Sequence, residues 1–130
     1  MPSRFVLPTS RAVIDNQTKR LILPPVFVDW FAKRGWSARA HQLELLDISR
    51  KGKSALLIAP TGAGKTLAGF LPSLIALSER KRRKVGERPT GIHTLYISPL
   101  KALAVDIERN LQKPVTEMGL NISIETRTGD

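Results

Sequence analysis

The chain has 130 residues, at most one ordinary domain, and its 42% apolar and 25% charged content excludes collagen-like, mucin-like and wholly disordered readings. Lys and Arg number 21 against 11 Asp and Glu, and the resulting formal charge of +10 favours a polyanionic partner such as nucleic acid. The absence of cysteine excludes disulfides, thiolate catalysis and Cys-based metal sites, and the two histidines, His41 and His93, are too far apart to suggest a zinc site.

Residues 1–20 are mixed and polar, and are expected to form an irregular arm. Residues 21–130 carry periodic signals. A helix is expected over Pro25–Arg34: proline suits a first turn, Phe27, Trp30 and Phe31 share a face, and Gly35 can terminate it. A second helix is expected over Ala38–Lys51, capped by Ser37 and ended by Gly52. Leu43, Leu46 and Arg50 mark one side of it, and Arg39 and Gln42 lie three apart on another. Ser54–Ala59 is a short apolar run without alternation, which fits a strand buried on both faces of a parallel sheet.

A long apolar helix should follow from about Lys65 to Arg80, with Pro72 as a candidate kink and so little polar face that other elements must cover it. Its basic end, Arg80–Lys84, reads as a solvated terminus complementing the helix dipole. His93–Ser98 is expected to be a second strand. Pro99–Gln112 should be an amphipathic helix capped by Ser98, begun by Pro99 and closed by Pro114. Ile122–Thr126 completes a strand–helix–strand–helix–strand order, which implies a parallel sheet with right-handed crossovers. The expected class is therefore α/β, a parallel sheet with an N-terminal helical lead-in. No apolar run approaches the roughly 20 residues that span a bilayer, and the first ten residues do not read as a secretory signal, so the cytoplasm is the expected location.

The strongest chemical signal is Ala59-Pro60-Thr61-Gly62-Ala63-Gly64-Lys65-Thr66, between an apolar strand and a helix. It resembles the Walker A phosphate loop, with alanine at the position where the general pattern begins with glycine. Glycines at 62 and 64 let backbone N–H groups from Thr61 to Gly64 converge on phosphate oxygens, and the helix start adds its positive dipole end. Lys65 is placed to reach the β- and γ-phosphates, and Thr66 to offer its hydroxyl to the Mg²⁺ of the nucleotide. The competing reading is a Gly-rich turn with a chance lysine; both flanking elements argue against it.

With Gln42 upstream of this loop, the chain resembles the start of a superfamily 2 helicase. In that family a glutamine reads adenine, because an amide pairs with both the N6 donor and the N7 acceptor. Gln42 takes that role by resemblance, and Arg39 would flank the base or a phosphate. Ser98-Pro99-Leu100-Lys101-Ala102-Leu103 resembles the family's motif Ia, which implies contact of Pro99, Leu100 and Lys101 with a nucleic-acid backbone. An ordinary strand-to-helix turn is the alternative there. Thr126-Arg127-Thr128-Gly129-Asp130 resembles the next strand-binding segment and implicates Thr128 and Gly129.

Together with Leu23-Pro24-Pro25, Trp30-Phe31 and Arg34-Gly35-Trp36, these motifs resemble the Lhr-like, ligase-associated DEXH-box DNA helicases over residues 21–130. The resemblance implies an incomplete P-loop, RecA-like fold, ATP and Mg²⁺ as cofactors, DNA as partner, a role in DNA repair, and a DNA ligase and a nuclease as associates. The aromatic that many relatives place well before the glutamine has no clear counterpart here. The chain also contains no Asp-Glu dipeptide, whereas such enzymes use an acidic pair at a strand end to hold Mg²⁺ and activate water. These 130 residues alone are therefore expected not to hydrolyse ATP. A non-enzymatic nucleotide- or nucleic-acid-binding module is the competing function. Another phosphate-loop enzyme, such as a small kinase, is disfavoured by Gln42 and Ser98-Pro99-Leu100-Lys101.

Overall fold

The computed structural model describes residues 3–6, 23–58, 64–80, 84–87 and 91–129. In chain order they form β1 (Ser3–Val6), α1 (Pro25–Lys33), α2 (Ala40–Arg50), β2 (Ala55–Ile58), α3 (Lys65–Ser78) and α4 (Lys101–Glu117). The chain divides into two compact units, Met1–Pro72 and Ser73–Asp130.

In the first unit, α1 begins with Pro25 in its first turn and buries Phe27, Trp30 and Phe31, as the i, i+3, i+4 spacing requires. It ends at Gly35, whose φ of +67° is open to a residue without Cβ. The Gly35 N–H donates to the Ala32 carbonyl and the Trp36 N–H to the Phe31 carbonyl, so two otherwise orphaned acceptors are satisfied. The Arg34 guanidinium lies 4.9 Å from the Trp30 ring centre and 5.1 Å from that of Trp36, closing the helix end with a cation–π stack. Helix α2 ends the same way at Gly52, with φ of +69°. Leu43 and Leu46 are buried as expected, but Arg50 is exposed.

Helix α2 starts two residues later than expected, and Ser37 does not cap it. Arg39 is the N-cap, and its N–H donates to Gln42 Oε1 at 2.9 Å. The glutamine at the third helical position thus does the capping that a serine was expected to do.

Residues Ser3–Val6 form a strand, not part of an irregular arm. They pair in parallel with Ala55–Ile58, in the register Ser3↔Ala55 to Val6↔Ile58. The rest of the predicted arm, up to residue 20, lies outside the described residues. β2 confirms the strand expected over 54–59, but it is largely exposed, with only Leu57 half-buried. The expectation of burial on both faces fails because β2 has one strand neighbour among the described residues and little apolar cover.

Helix α3 runs through Pro72 to Ser78. Pro72 removes the N–H that would serve the Ala68 carbonyl, yet the helix continues. Ala68, Leu71, Leu74 and Ile75 form one buried stripe, whereas Gly69 and Ala76 are exposed. Burial is thus one-sided, not the all-round cover that the composition suggested.

In the second unit, neither His93–Ser98 nor Ile122–Thr126 forms a strand ladder. Residues 91–97 are all exposed, with Ile92 at 83% and Ile97 at 81%. A strand exists only with a hydrogen-bonded neighbour, and none of the described residues supplies one. The two segments differ in one respect. From Leu120 to Arg127 exposure alternates, with Leu120, Ile122, Ile124 and Thr126 half-buried and the residues between them exposed. That period of two places one face of the segment inward without a ladder.

Helix α4 begins at Lys101, so Ser98 does not cap it and Pro99 is not its first residue; the N-cap is Leu100. The Ser98 hydroxyl instead closes a local turn, accepting from the Leu100 N–H at 3.4 Å. Pro114 does not close the helix either. It lies inside, buried beside Val115, and the helix reaches Glu117 before Gly119 ends it at φ of +66°. One backbone bond is lost at Pro114, and burial of Leu111, Pro114 and Val115 on the same stripe offsets it.

Candidate functional site

The first unit brings Gln42 and the start of α3 together. Gln42 is 3% exposed. Its Nε2 donates to the Gly64 carbonyl at 3.4 Å, across 22 residues of sequence. That carbonyl also accepts the Ala68 N–H at 3.0 Å, the first bond of α3, so Gly64 is the cap of this helix. Gly64 has φ of +73°, and a Cβ built on it would stand 2.8 Å from Gln42 Nε2. Glycine is therefore demanded twice here, by the left-handed backbone and by the closeness of the amide.

Lys65 and Thr66 are the first two residues of α3, and both are exposed. In any α-helix the first N–H groups have no intrahelical acceptor and carry the positive end of the dipole. A flexible cation, a hydroxyl and main-chain donors thus occupy one helix start. Thr61, Gly62 and Ala63 lie outside the described residues. Arg39 is exposed at the N-cap of α2, its backbone tied to the Gln42 amide.

The Gln42 amide spends one acceptor site on Arg39 and one donor on Gly64. An amide offers two of each, so one acceptor site and one N–H remain. A nucleoside triphosphate fits these residues: phosphate at the glycine-capped helix start, and an amide behind it with a donor and an acceptor in reserve.

The second unit holds the remaining expected residues. Pro99 and Leu100 precede α4 and Lys101 is its first residue; all three are exposed. Thr128 and Gly129 are also exposed. Arg127 turns back on its own segment, donating to Glu125 at 2.7 Å and to the Thr126 carbonyl at 3.1 Å. Sequence reasoning did not find the hydrogen bond from the Thr126 hydroxyl to Glu108 Oε2 on α4. An open groove of about 780 Å³ near the end of α4, bordered by Lys84, Glu87, Gln112 and Thr116, contains none of the expected site residues. No group of three or more metal-ligating side chains occurs among the described residues.

Residues 39–130 match the DEAD/DEAH box helicase family. The chain belongs to that family. It is 38% identical over 89% of its length to the Lhr helicase/uracil glycosylase of Escherichia coli, of which it covers 9%. It is 39% identical over 78% of its length to the Lhr helicase/probable uracil glycosylase of Mycolicibacterium smegmatis, of which it covers 7%. With the ATP-dependent helicase Lhr-Core of Methanothermobacter thermautotrophicus it shares 37% identity over 84% of its length, covering 14% of that protein. The chain thus spans a small part of each of these relatives. No solved structure matches it. The Lhr-like resemblance read from the motifs is borne out, and family membership implies the RecA-like P-loop fold, of which the described residues form a mostly helical part.

Proposed function

We propose that these residues form the nucleotide-reading part of an ATP-dependent DNA helicase or translocase. The observation that carries this reading is the contact of the Gln42 amide with Gly64 at the glycine-capped start of α3. It links a base-reading amide to a phosphate-binding helix end through one carbonyl. Lys65 contacts the terminal phosphates, Thr66 the Mg²⁺ that accompanies them, and Thr61, Gly62, Ala63 and Gly64 supply main-chain donors. Magnesium bound with the nucleotide neutralises charge on the phosphate oxygens. Gln42 reads adenine with its remaining donor and acceptor, and Arg39 flanks the base or a phosphate.

Pro99, Leu100 and Lys101 at the start of α4, with Thr128 and Gly129, form the nucleic-acid contact. The charge of +10 supports a polyanionic partner. The expected ligase and nuclease associates rest on resemblance alone, and the names of two relatives mention a uracil glycosylase instead. A cytoplasmic location is part of the same reading; among the described residues no helix is long and apolar enough to cross a membrane.

The test compares Mg-ATP with Mg-GTP by calorimetric titration of the chain and of its Gln42→Ala variant. Preference for ATP that disappears in the variant supports the reading. Equal affinity for both nucleotides in the unaltered chain removes the role assigned to Gln42. A steady-state ATPase assay addresses the missing acidic pair, and no turnover is expected. Turnover abolished by Lys65→Ala would mean that this chain carries its own catalytic acid.

A further inference from the structure

Helix α4 presents one inward stripe, formed by Ala104, Ile107, Glu108, Leu111, Pro114 and Val115. Five of these are apolar, and Glu108 is a carboxylate set among them at helical spacing. A half-buried carboxylate is costly unless it is hydrogen-bonded. Its partner is the hydroxyl of Thr126, which donates to Glu108 Oε2. Thr126 is the last inward residue of the alternating segment that begins at Leu120. A slip of one residue would turn Glu125 or Arg127 toward the Glu108 carboxylate in its place. Among the described residues the segment has no ladder to fix its register, so side chains take that part.

We propose that Glu108 is a positioning residue that pins the register of residues 120–127 against α4, and thereby fixes where Thr128–Gly129 stands in the proposed nucleic-acid contact. The inference rests on the assignment of Thr128–Gly129, with Pro99–Lys101, to nucleic acid. Glu108 itself touches no ligand. It acts through Thr126, beyond which Thr128 and Gly129 emerge exposed. The ion pair of Arg127 with Glu125 keeps that guanidinium on its own segment.

Charge and positioning make opposite predictions for Glu108. Removing an acid from a chain of charge +10 should tighten binding to a polyanion if only the field matters. A register pin predicts weaker binding after Glu108→Ala, by about fivefold to tenfold. Glu108→Gln also removes the charge but keeps an oxygen acceptor for the Thr126 hydroxyl, so it should restore binding to at least the original affinity.

The experiment is fluorescence anisotropy of a labelled oligo(dT) strand with the full chain and its E108A, E108Q, T126V and E108A/T126V variants. The expected result is weakening in E108A and T126V, no further loss in the double variant, and rescue in E108Q. Tighter binding in E108A, or equal weakening in E108Q, overturns the inference. Lys101→Ala and Thr128→Ala are measured alongside. If neither changes binding, the nucleic-acid assignment itself fails; if both weaken it while E108A does not, the assignment stands and the role of Glu108 falls.

Discussion

The two units treat apolar sequence differently. In the helices of the first, apolar periodicity ends in burial, with Phe27, Leu43, Leu46 and Leu71 almost completely covered, whereas Leu56 and Ile58 of β2 stay exposed. Gln42, whose side chain reaches the Gly64 carbonyl, lies buried on the same helix as Leu43 and Leu46. In the second, the apolar run Leu95-Tyr96-Ile97 is exposed, and order comes from the inward stripe of α4 and a segment that packs by alternation. A helix makes its own hydrogen bonds and needs only one covered face, whereas a strand is completed only by a hydrogen-bonded neighbour. The nucleotide residues stand on helices that meet the first condition. The second unit's strand signals lack a neighbour among the described residues.

This contrast can be attacked in order of expected effect. Phe27→Ala should destabilise the first unit most, by about 3–5 kcal/mol, as read from chemical denaturation. A loss near zero would mean that its core is not formed as described. Lys65→Ala should leave the denaturation midpoint unchanged, because the side chain is exposed, but weaken Mg-ATP binding by roughly 1.5–3 kcal/mol through loss of a charge-assisted contact. Gly64→Ala should cost about 1–2 kcal/mol from its left-handed backbone and should also displace the Gln42 amide. Nucleotide titration and denaturation should therefore both report it.

At the small end, Ile97→Ser should change stability by no more than about 0.5 kcal/mol, because Ile97 is exposed. A larger loss would show that the run is packed, and the contrast between the units would disappear. The smallest effect is set by pH. Partial burial pushes the Glu44 carboxyl above its ordinary range. The folded chain then holds this proton more tightly than the unfolded chain does. The group therefore favours folding at low pH, and that contribution is lost as pH rises through its raised value. Glu44→Gln should flatten this part of the stability–pH curve in the acidic range; an unaltered curve would remove the assignment.

The helices were legible because their signals are local. The spacing of Phe27, Trp30 and Phe31 and the terminators Gly35 and Gly52 led to α1 and α2 within a few residues. The caps were less legible. Ser37 and Ser98 are good cap types in the wrong places, and Gln42 caps α2 from three residues inside it, with an arginine where the familiar pattern has serine or threonine. Pro114 misled because proline forbids one hydrogen bond, and burial can outweigh that loss. The strands at 93–98 and 122–126 misled because pairing is not encoded in the paired segment itself. At the candidate site, Gln42 and Gly64 could each be picked out by type, but their contact spans 22 residues and has no sequence signal. The same holds for Glu108 and Thr126, which are 18 apart.

The central claim is that Gln42, Gly64, Lys65 and Thr66 act as one nucleotide site. Its most direct test is a Mg-ATP titration of the isotopically labelled chain followed by NMR. The account predicts that the Gln42 side-chain amide and the backbone amides of Gly64, Lys65 and Thr66 shift together and saturate at a single stoichiometry. Saturable shifts centred on α4, with these four groups unmoved, would contradict it.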